Sequence, residues 1–504
     1  VIQQPMGTLK KLAGQTAIYG LSSILGRSIN FLLIIIYTGY LSKADLGAFT
    51  GIYALIGFLN IVFTYGMETA FFRFSTGKNQ EPTRVYHNTQ SLLVLSSLIL
   101  GSGIYLAAPF LAEWMDYPGQ AYLFQWTALL LAFDAVLVIP FAKLRLENKA
   151  KTFAGAKLIN ILLNVTFNLL LLIWIPGWIQ SGMLPEGILG YQSTWGVEYI
   201  LLANLLANGL IIPFVWWKAG FFSFRLEKEI LQPMWTYSLP LLFMGLAGVT
   251  NELISRLLFE YVLPVNFYSG LSSREAAGIF GANFKLAILM NLVIQAFKYA
   301  AEPFFFRESK EKDSPKMYAQ VMHAFILFCS LLMILISVNL NWIGPLFLKG
   351  DAYEMGFSIV PLLLLGYLLL GIYFNLSIWF KLTDKTNYSF WITFLGAIVS
   401  VAGIVFLVPV WGFMGAALST VACYLVMVAV CYFFGQKYYP IPYQTNRGLG
   451  YLILAFALSY FGYFLETGVG SLDFILKNSG ALLFIAAVFF VERKFVRSLI
   501  AKKS

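Results

Sequence analysis

From Asn387 to Gln436 the chain carries no Asp, Glu, Lys or Arg. An uncharged run of this length belongs in lipid, where each backbone N–H and C=O must be satisfied within a helix or a closed barrel. The run lacks the apolar–polar alternation of a barrel strand, so it reads as helix. Pro409 divides it into segments near 387–408 and 411–435, each close to the ~20 residues that cross a bilayer. Runs of the same kind lie near 16–41, 47–72, 89–111, 121–142, 152–175 and 197–217, and then near 235–262, 276–302, 318–343 and 357–380. A terminal pair lies near 449–465 and 474–491. The chain is therefore expected to be an all-α polytopic membrane protein with fourteen transmembrane helices. Its charged fraction of 12% is half the ~25% of a soluble domain. That excludes a water-soluble enzyme or binding module.

Basic residues orient such a bundle, because they collect on the cytoplasmic side. Lys10 and Lys11 begin the series, followed by the groups 73–84, 143–151, 218–228, 307–316, 381–385 and 437–447, and the tail from Arg493 to Lys503. Alternate connections place all of these on one side, and only Lys43, Arg274, Lys349 and Lys477 on the other. Both termini are thus expected in the cytoplasm. The net charge of +10 is accounted for by these loops, so no nucleic-acid partner is expected. The first helix is expected to serve as its own signal anchor. Cys329, Cys423 and Cys431 all sit in apolar runs, which suits inert packing rather than a disulfide framework.

Short patterns recur at a nearly constant offset. Gly47-Ala48-Phe49 matches Gly278-Ile279-Phe280, and Ile175-Pro176 matches Val408-Pro409. Two six-helix lobes follow, 1–220 and 221–440, with 441–504 adding helices 13 and 14 and the basic tail. An even number of spans per lobe makes the repeats parallel, with a site expected at their interface near the midplane.

Ionisable residues at depth cost roughly 2.5–3.5 kcal/mol each on insertion scales, so they face a cavity or a partner. The bases at depth are Arg27, Lys157, Arg256, Lys285 and Lys298; the acids are Glu68, Asp134, Glu252, Glu260 and Glu302. Glu252, Arg256 and Glu260 are four apart and can pair along one helix face. Asn291, Gln295, Lys298 and Glu302 form one polar stripe, and Lys157, Asn160, Asn164 and Asn168 another. Such stripes line a water-filled path or join helices. For Arg27 and Lys285, ligand contact and ion pairing within the bundle are both open readings, and the same holds for Arg256 and Lys298. Glu68 and Arg73 suit a gate or a structural pair; Asp134 suits an ion or proton site or a pair with a neighbouring helix. No nucleotide-binding G-x-x-x-x-G-K-[ST] loop occurs, and His87 and His323 lack metal-ligand spacing. Neither enzymatic activity nor a cofactor is expected, beyond a coupling ion such as H+ or Na+.

Several segments carry a family likeness. They are Arg27-Ser28-Ile29-Asn30-Phe31, Leu41 to Gly47, Tyr65-Gly66-Met67-Glu68-Thr69, Phe72-Arg73-Phe74, Gly278 to Phe304 and Pro409 to Ala417. Together they resemble the Wzx-type polysaccharide exporters, flippases of the multidrug/oligosaccharidyl-lipid/polysaccharide (MOP) superfamily. The resemblance covers most of residues 8–435. It departs at the seventh helix, where Ser255 precedes Arg256 and the nearest upstream acid is Glu252.

The resemblance implies two six-helix lobes in a V, alternating access, and a cationic cavity that carries an undecaprenyl-diphosphate-linked oligosaccharide across the bacterial cytoplasmic membrane. Arg27, Lys285, Arg256 and Lys298 would then bind the diphosphate. Glu68, Arg73, Asp134 and Glu252 would gate or couple, and Asn30, Lys157, Asn160, Asn164, Asn291 and Gln295 would line the cavity. The implied partners are the lipid-linked oligosaccharide, membrane lipids and nearby polysaccharide-assembly enzymes, with the chain acting as a monomer. A lipid II flippase is the first alternative and an ion-coupled drug antiporter of the same superfamily the second. Residues 12–42 hold no acid, which counts against the antiporter.

Overall fold

The computed structural model describes residues 25–76 apart from 27 and 30, residues 81–308, and residues 313–493 apart from 384. Every regular element among them is helical. The chain divides into two compact units, residues 1–257 and 258–504. The first holds α1 (Phe31–Tyr40), α2 (Lys43–Thr64), α3 (Met67–Ser75), α4 (Pro82–Trp114), α5 (Ala121–Leu146), α6 (Ala150–Leu169), α7 (Ile175–Gln180), α8 (Val197–Ala219) and most of α9 (Lys228–Val262). The second holds the end of α9, then α10 (Ser273–Glu308), α11 (Ser314–Val338), α12 (Leu340–Phe347), α13 (Val360–Leu376), α14 (Ile378–Leu382), α15 (Asn387–Tyr438), α16 (Thr445–Phe464) and α17 (Gly470–Val491). Eleven helical stretches among the described residues are long and apolar enough to cross a membrane. Each expected helix has a helical counterpart, the first of them only in its latter part.

One expected boundary is revised. The helix expected as one piece over 47–72 is broken: α2 ends at Tyr65 (φ 32°) and α3 begins after Gly66 (φ 74°). Both residues are left-handed, and a Cβ on Gly66 would stand 2.8 Å from Leu241 Cβ. Tyr65 is held there by its hydroxyl, 2.9 Å from Ser96 Oγ, and by its ring against Trp235. The two segments expected at 387–408 and 411–435 are both present and follow one another without a loop within the 52-residue stretch α15. A straight helix of that length would run ~78 Å, over twice the ~30 Å hydrocarbon core. The chain reverses instead at Gly412 (φ 52°, ψ −124°). There the Phe413 N–H donates to the Tyr268 hydroxyl at 2.9 Å, and the two rings stack at 4.4 Å.

In the first unit, Tyr65, Met67, Phe71, Val85, Tyr86, Ile139, Ile230 and Met234 form one buried cluster that fixes α3 against α4, α5 and the start of α9. Leu137, Phe141, Phe153, Ile211 and Val215 form another that joins α5, α6 and α8. Outward-facing Leu106, Phe110, Phe406 and Ile453 stay more than two-thirds exposed, a surface that fits acyl chains rather than water. The terminal helices pack within the second unit, α16 along α11 and α17. His323 on α11 and Tyr451 on α16 converge there on Glu492, just past the end of α17. The Glu492 carboxylate lies 3.3 Å from His323 Nε2 and accepts from the Tyr451 hydroxyl at 3.1 Å and Arg447 Nη1 at 3.2 Å.

Candidate functional site

The densest polar constellation at membrane depth lies inside the first unit. The stripe on α6 faces α8, whose Asn204 and Asn208 repeat at the same four-residue spacing. Asn160 Nδ2 donates to Asn208 Oδ1 at 2.9 Å, and Asn208 Nδ2 donates to Asp134 Oδ1 on α5 at 2.7 Å. One turn away, Asn164 Nδ2 donates to Asn204 Oδ1 at 2.9 Å, and Asn204 Nδ2 donates to the Tyr53 hydroxyl on α2. Asn168 Nδ2 donates to Asn164 Oδ1 at 2.7 Å, and Asn168 Oδ1 accepts from the Tyr37 hydroxyl on α1 at 3.1 Å.

The ladder therefore ties α1, α2, α5, α6 and α8 together. At its other end the Lys157 ammonium lies 4.2 Å over the Phe141 ring and interacts electrostatically with Asp134. A half-buried acid, a base and a run of amides are chemically equipped to hold a proton or a small cation. They also satisfy each other, as polar groups in lipid must.

Two further acids, Glu68 and Glu260, have partners that spacing alone does not reveal. Glu68 on α3 pairs with Arg145 on α5, not with Arg73. Arg73 instead lies with its guanidinium 4.2 Å over the Tyr237 ring of α9. Along the expected ladder of Glu252, Arg256 and Glu260, two contacts stand out. Arg256 Nη2 donates to the Glu252 backbone carbonyl at 3.1 Å, whereas Glu260 accepts from Arg274 Nε at 2.7 Å, in the second unit.

The connector Gly220–Glu227 is strapped to the start of α4. The Tyr86 hydroxyl donates to the Gly220 carbonyl at 2.8 Å, the Ser223 N–H to His87 Nδ1 at 3.0 Å and the Arg225 N–H to Ser91 Oγ at 2.9 Å. Glu227 receives Arg84 Nε at 2.7 Å and Asn88 Nδ2 at 3.1 Å. The hydrogen bond from Arg84 holds the Glu227 carboxyl below the usual glutamate range.

In the second unit α10 carries Lys285, half-buried, and then Asn291 and Gln295, whose amides lie 3.4 Å apart. Lys298 sits 4.4 Å over the Phe374 ring and lines a cavity of about 170 Å3 with Lys381, Tyr373, Asn375, Ser377 and Ser389. Arg27, Asn30, the Glu302 side chain and the tail beyond Arg493 lie outside the described residues. Sequence reasoning missed Arg145, Asn204, Asn208, Tyr53 and the His323–Glu492 cluster. Only the Asn204/Asn208 spacing offered a signal.

The fold and these buried polar groups define a multi-pass helical membrane protein. Residues 38–179 match the model of a family described as polysaccharide biosynthesis protein. Among solved structures, the chain is similar to lipid II flippase MurJ in an inward closed conformation, with a TM-score of 0.71 and 12% identity over 94% of this chain and 99% of that one. It is also similar to an inward-facing multidrug resistance MATE family transporter of the MOP superfamily, with a TM-score of 0.55 and 18% identity over 84% and 94%. An outward-facing transporter of that kind matches with a TM-score of 0.53 and 16% identity over 84% and 95%. None of the curated proteins matches the sequence.

Proposed function

We propose that this protein is a flippase that moves an undecaprenyl-diphosphate-linked oligosaccharide from the inner to the outer leaflet of the bacterial cytoplasmic membrane, for surface polysaccharide assembly. The observation that carries this reading is the match of residues 38–179 to a polysaccharide biosynthesis family within a chain that has a transporter fold over 94% of its length. A diphosphate in a low-dielectric site needs charge-assisted partners. Arg27, Arg256, Lys285 and Lys298 are the bases proposed to supply them. The termini face the cytoplasm, as the basic loops require. Translocation proceeds by alternating access without nucleotide hydrolysis, driven by an ion gradient or by consumption of the product. Asp134 is the acid proposed to hold the coupling ion, with Glu68 and Glu252 in gating roles.

Lipid II is the second reading, favoured by the likeness to MurJ. The two separate in sealed vesicles containing the purified protein. Lipid-linked oligosaccharide and lipid II, each carrying a fluorescent sugar, are scored for protection from an external quencher. Protein-dependent movement of the oligosaccharide but not of lipid II is expected. Movement of lipid II alone would transfer the protein to the second reading, and a requirement for ATP would overturn the coupling.

A further inference from the structure

Where α3 ends and α9 begins, a cleft of about 660 Å3 opens within the first unit, lined by Arg73, Phe74, Lys228, Gln232, Thr236 and Tyr237 together with Glu229. Its size falls in the ordinary range for ligand clefts, roughly 300–1,000 Å3. Arg73 and Lys228 are exposed in it, and three facts single out Arg73. Glu68, the acid nearest Arg73 in the chain, is committed to Arg145, so Arg73 keeps its charge unneutralised. Among the described residues the Arg73 guanidinium has no ion pair. It lies flat on Tyr237 at 4.2 Å, with Phe74 packed edge-on to the same ring at 6.3 Å. Stacking of this kind fixes the plane of the guanidinium and leaves the N–H fork at its rim free to take an oxyanion bidentately.

The second cation is positioned too. Lys228 follows Glu227, whose carboxylate is held by Arg84 and Asn88 and whose N–H donates to Asn88 Oδ1 at 2.6 Å. The residue before Lys228 is therefore anchored at four polar contacts to α4. Lys228 also opens the first turn of the 35-residue α9, the electropositive end of its dipole. Glu229 is the single acid in the lining and is exposed.

We propose that this cleft docks a phosphoryl group at the cytoplasmic membrane surface, with Arg73 as the fork and Lys228 as the point charge. The inference rests on the flippase reading for its orientation. On that reading the cleft is where the diphosphate of the lipid-linked substrate is first captured. A bilayer phospholipid headgroup offers the same chemistry.

The test uses the full-length protein in uncharged detergent, titrated separately with polyprenyl diphosphate and with phosphatidylglycerol and read by native mass spectrometry. Arg73→Gln with Lys228→Gln is expected to weaken diphosphate binding by roughly tenfold or more, the scale of a lost charge-assisted pair. Lys228→Gln alone should give a smaller loss, and Arg73→Lys should restore part of it. Lys316→Gln, which removes an exposed cation paired with Asp313 elsewhere, should change nothing. A loss confined to polyprenyl diphosphate assigns the cleft to the substrate. An equal loss for phosphatidylglycerol assigns it to a bilayer headgroup. Unchanged binding of both overturns the proposal. If the wild type fails to translocate oligosaccharide in vesicles yet shows these losses, the flippase reading falls and the phosphoryl site stands.

Discussion

Asn208 is the residue through which the polar ladder of the first unit is most exposed to test. Its amide donates to Asp134 and accepts from Asn160, so it joins α8 to both α5 and α6. Asn208→Leu keeps the side chain's approximate size and removes both bonds. Interhelical hydrogen bonds in a membrane average about 0.6 kcal/mol and reach about 1.7. The one to the Asp134 carboxylate belongs at the upper end, because bonds to charged groups are stronger, about 1.5–3 kcal/mol. The variant is therefore expected to lose about 2–3 kcal/mol, seen as a lower midpoint in denaturation of the purified protein. The double variant with Asn160→Leu should then cost less than the sum of the singles, with a coupling of about 0.5 kcal/mol or more, as contacting residues show. If Asn208→Leu is as stable as the wild type, or the two changes add within about 0.3 kcal/mol, the amides do not form this bridge.

Gly66→Ala should be destabilising by about 2–5 kcal/mol: about 1–2 for a left-handed non-glycine residue and about 1–3 for overpacking against Leu241. A thermal midpoint equal to wild type would contradict the break between α2 and α3. The strap from Gly220 to Glu227 should depend on pH in one direction. Because Glu227 titrates below its ordinary value of 4.5 when folded, its contribution is complete above that value and is lost as pH falls through the lower folded one. Protection of the Ser223, Arg225 and Glu227 amides from hydrogen exchange, measured against the intrinsic rate at each pH, should fall only in that acid range. Loss of protection near neutrality would exclude Glu227 as the pin.

The helices were legible because lipid is an unforgiving solvent. A charge-free run such as 387–436 has few alternatives, and α15 falls on it. The breaks were harder to read. Pro409 pointed to the division near Gly412, but Gly66 is one glycine among 42, and nothing local marks it as one with positive φ at which a helix is broken. Pairing across helices was least legible. Regular spacing suggested Glu68 with Arg73, but the partner of Glu68 is Arg145, and spacing gave no sign that Glu260 takes Arg274; both contacts are set by how the helices pack. Polar stripes did better. The α6 asparagines stood out by their period, and their partners Asn204 and Asn208 share it.

The central claim is that charges within the membrane bind a diphosphate. It is tested most directly by the rate and affinity of lipid-linked oligosaccharide transport in sealed vesicles for Lys285→Ala and Arg27→Ala, at matched protein levels. Each change should remove a charge-assisted contact of about 1.5–3 kcal/mol, so substrate affinity should fall roughly ten- to a hundredfold. Arg27→Lys should recover only part of it, because a point charge replaces a bidentate fork. Wild-type transport and affinity in both neutral variants would show that these residues hold the bundle together and that the diphosphate is bound elsewhere.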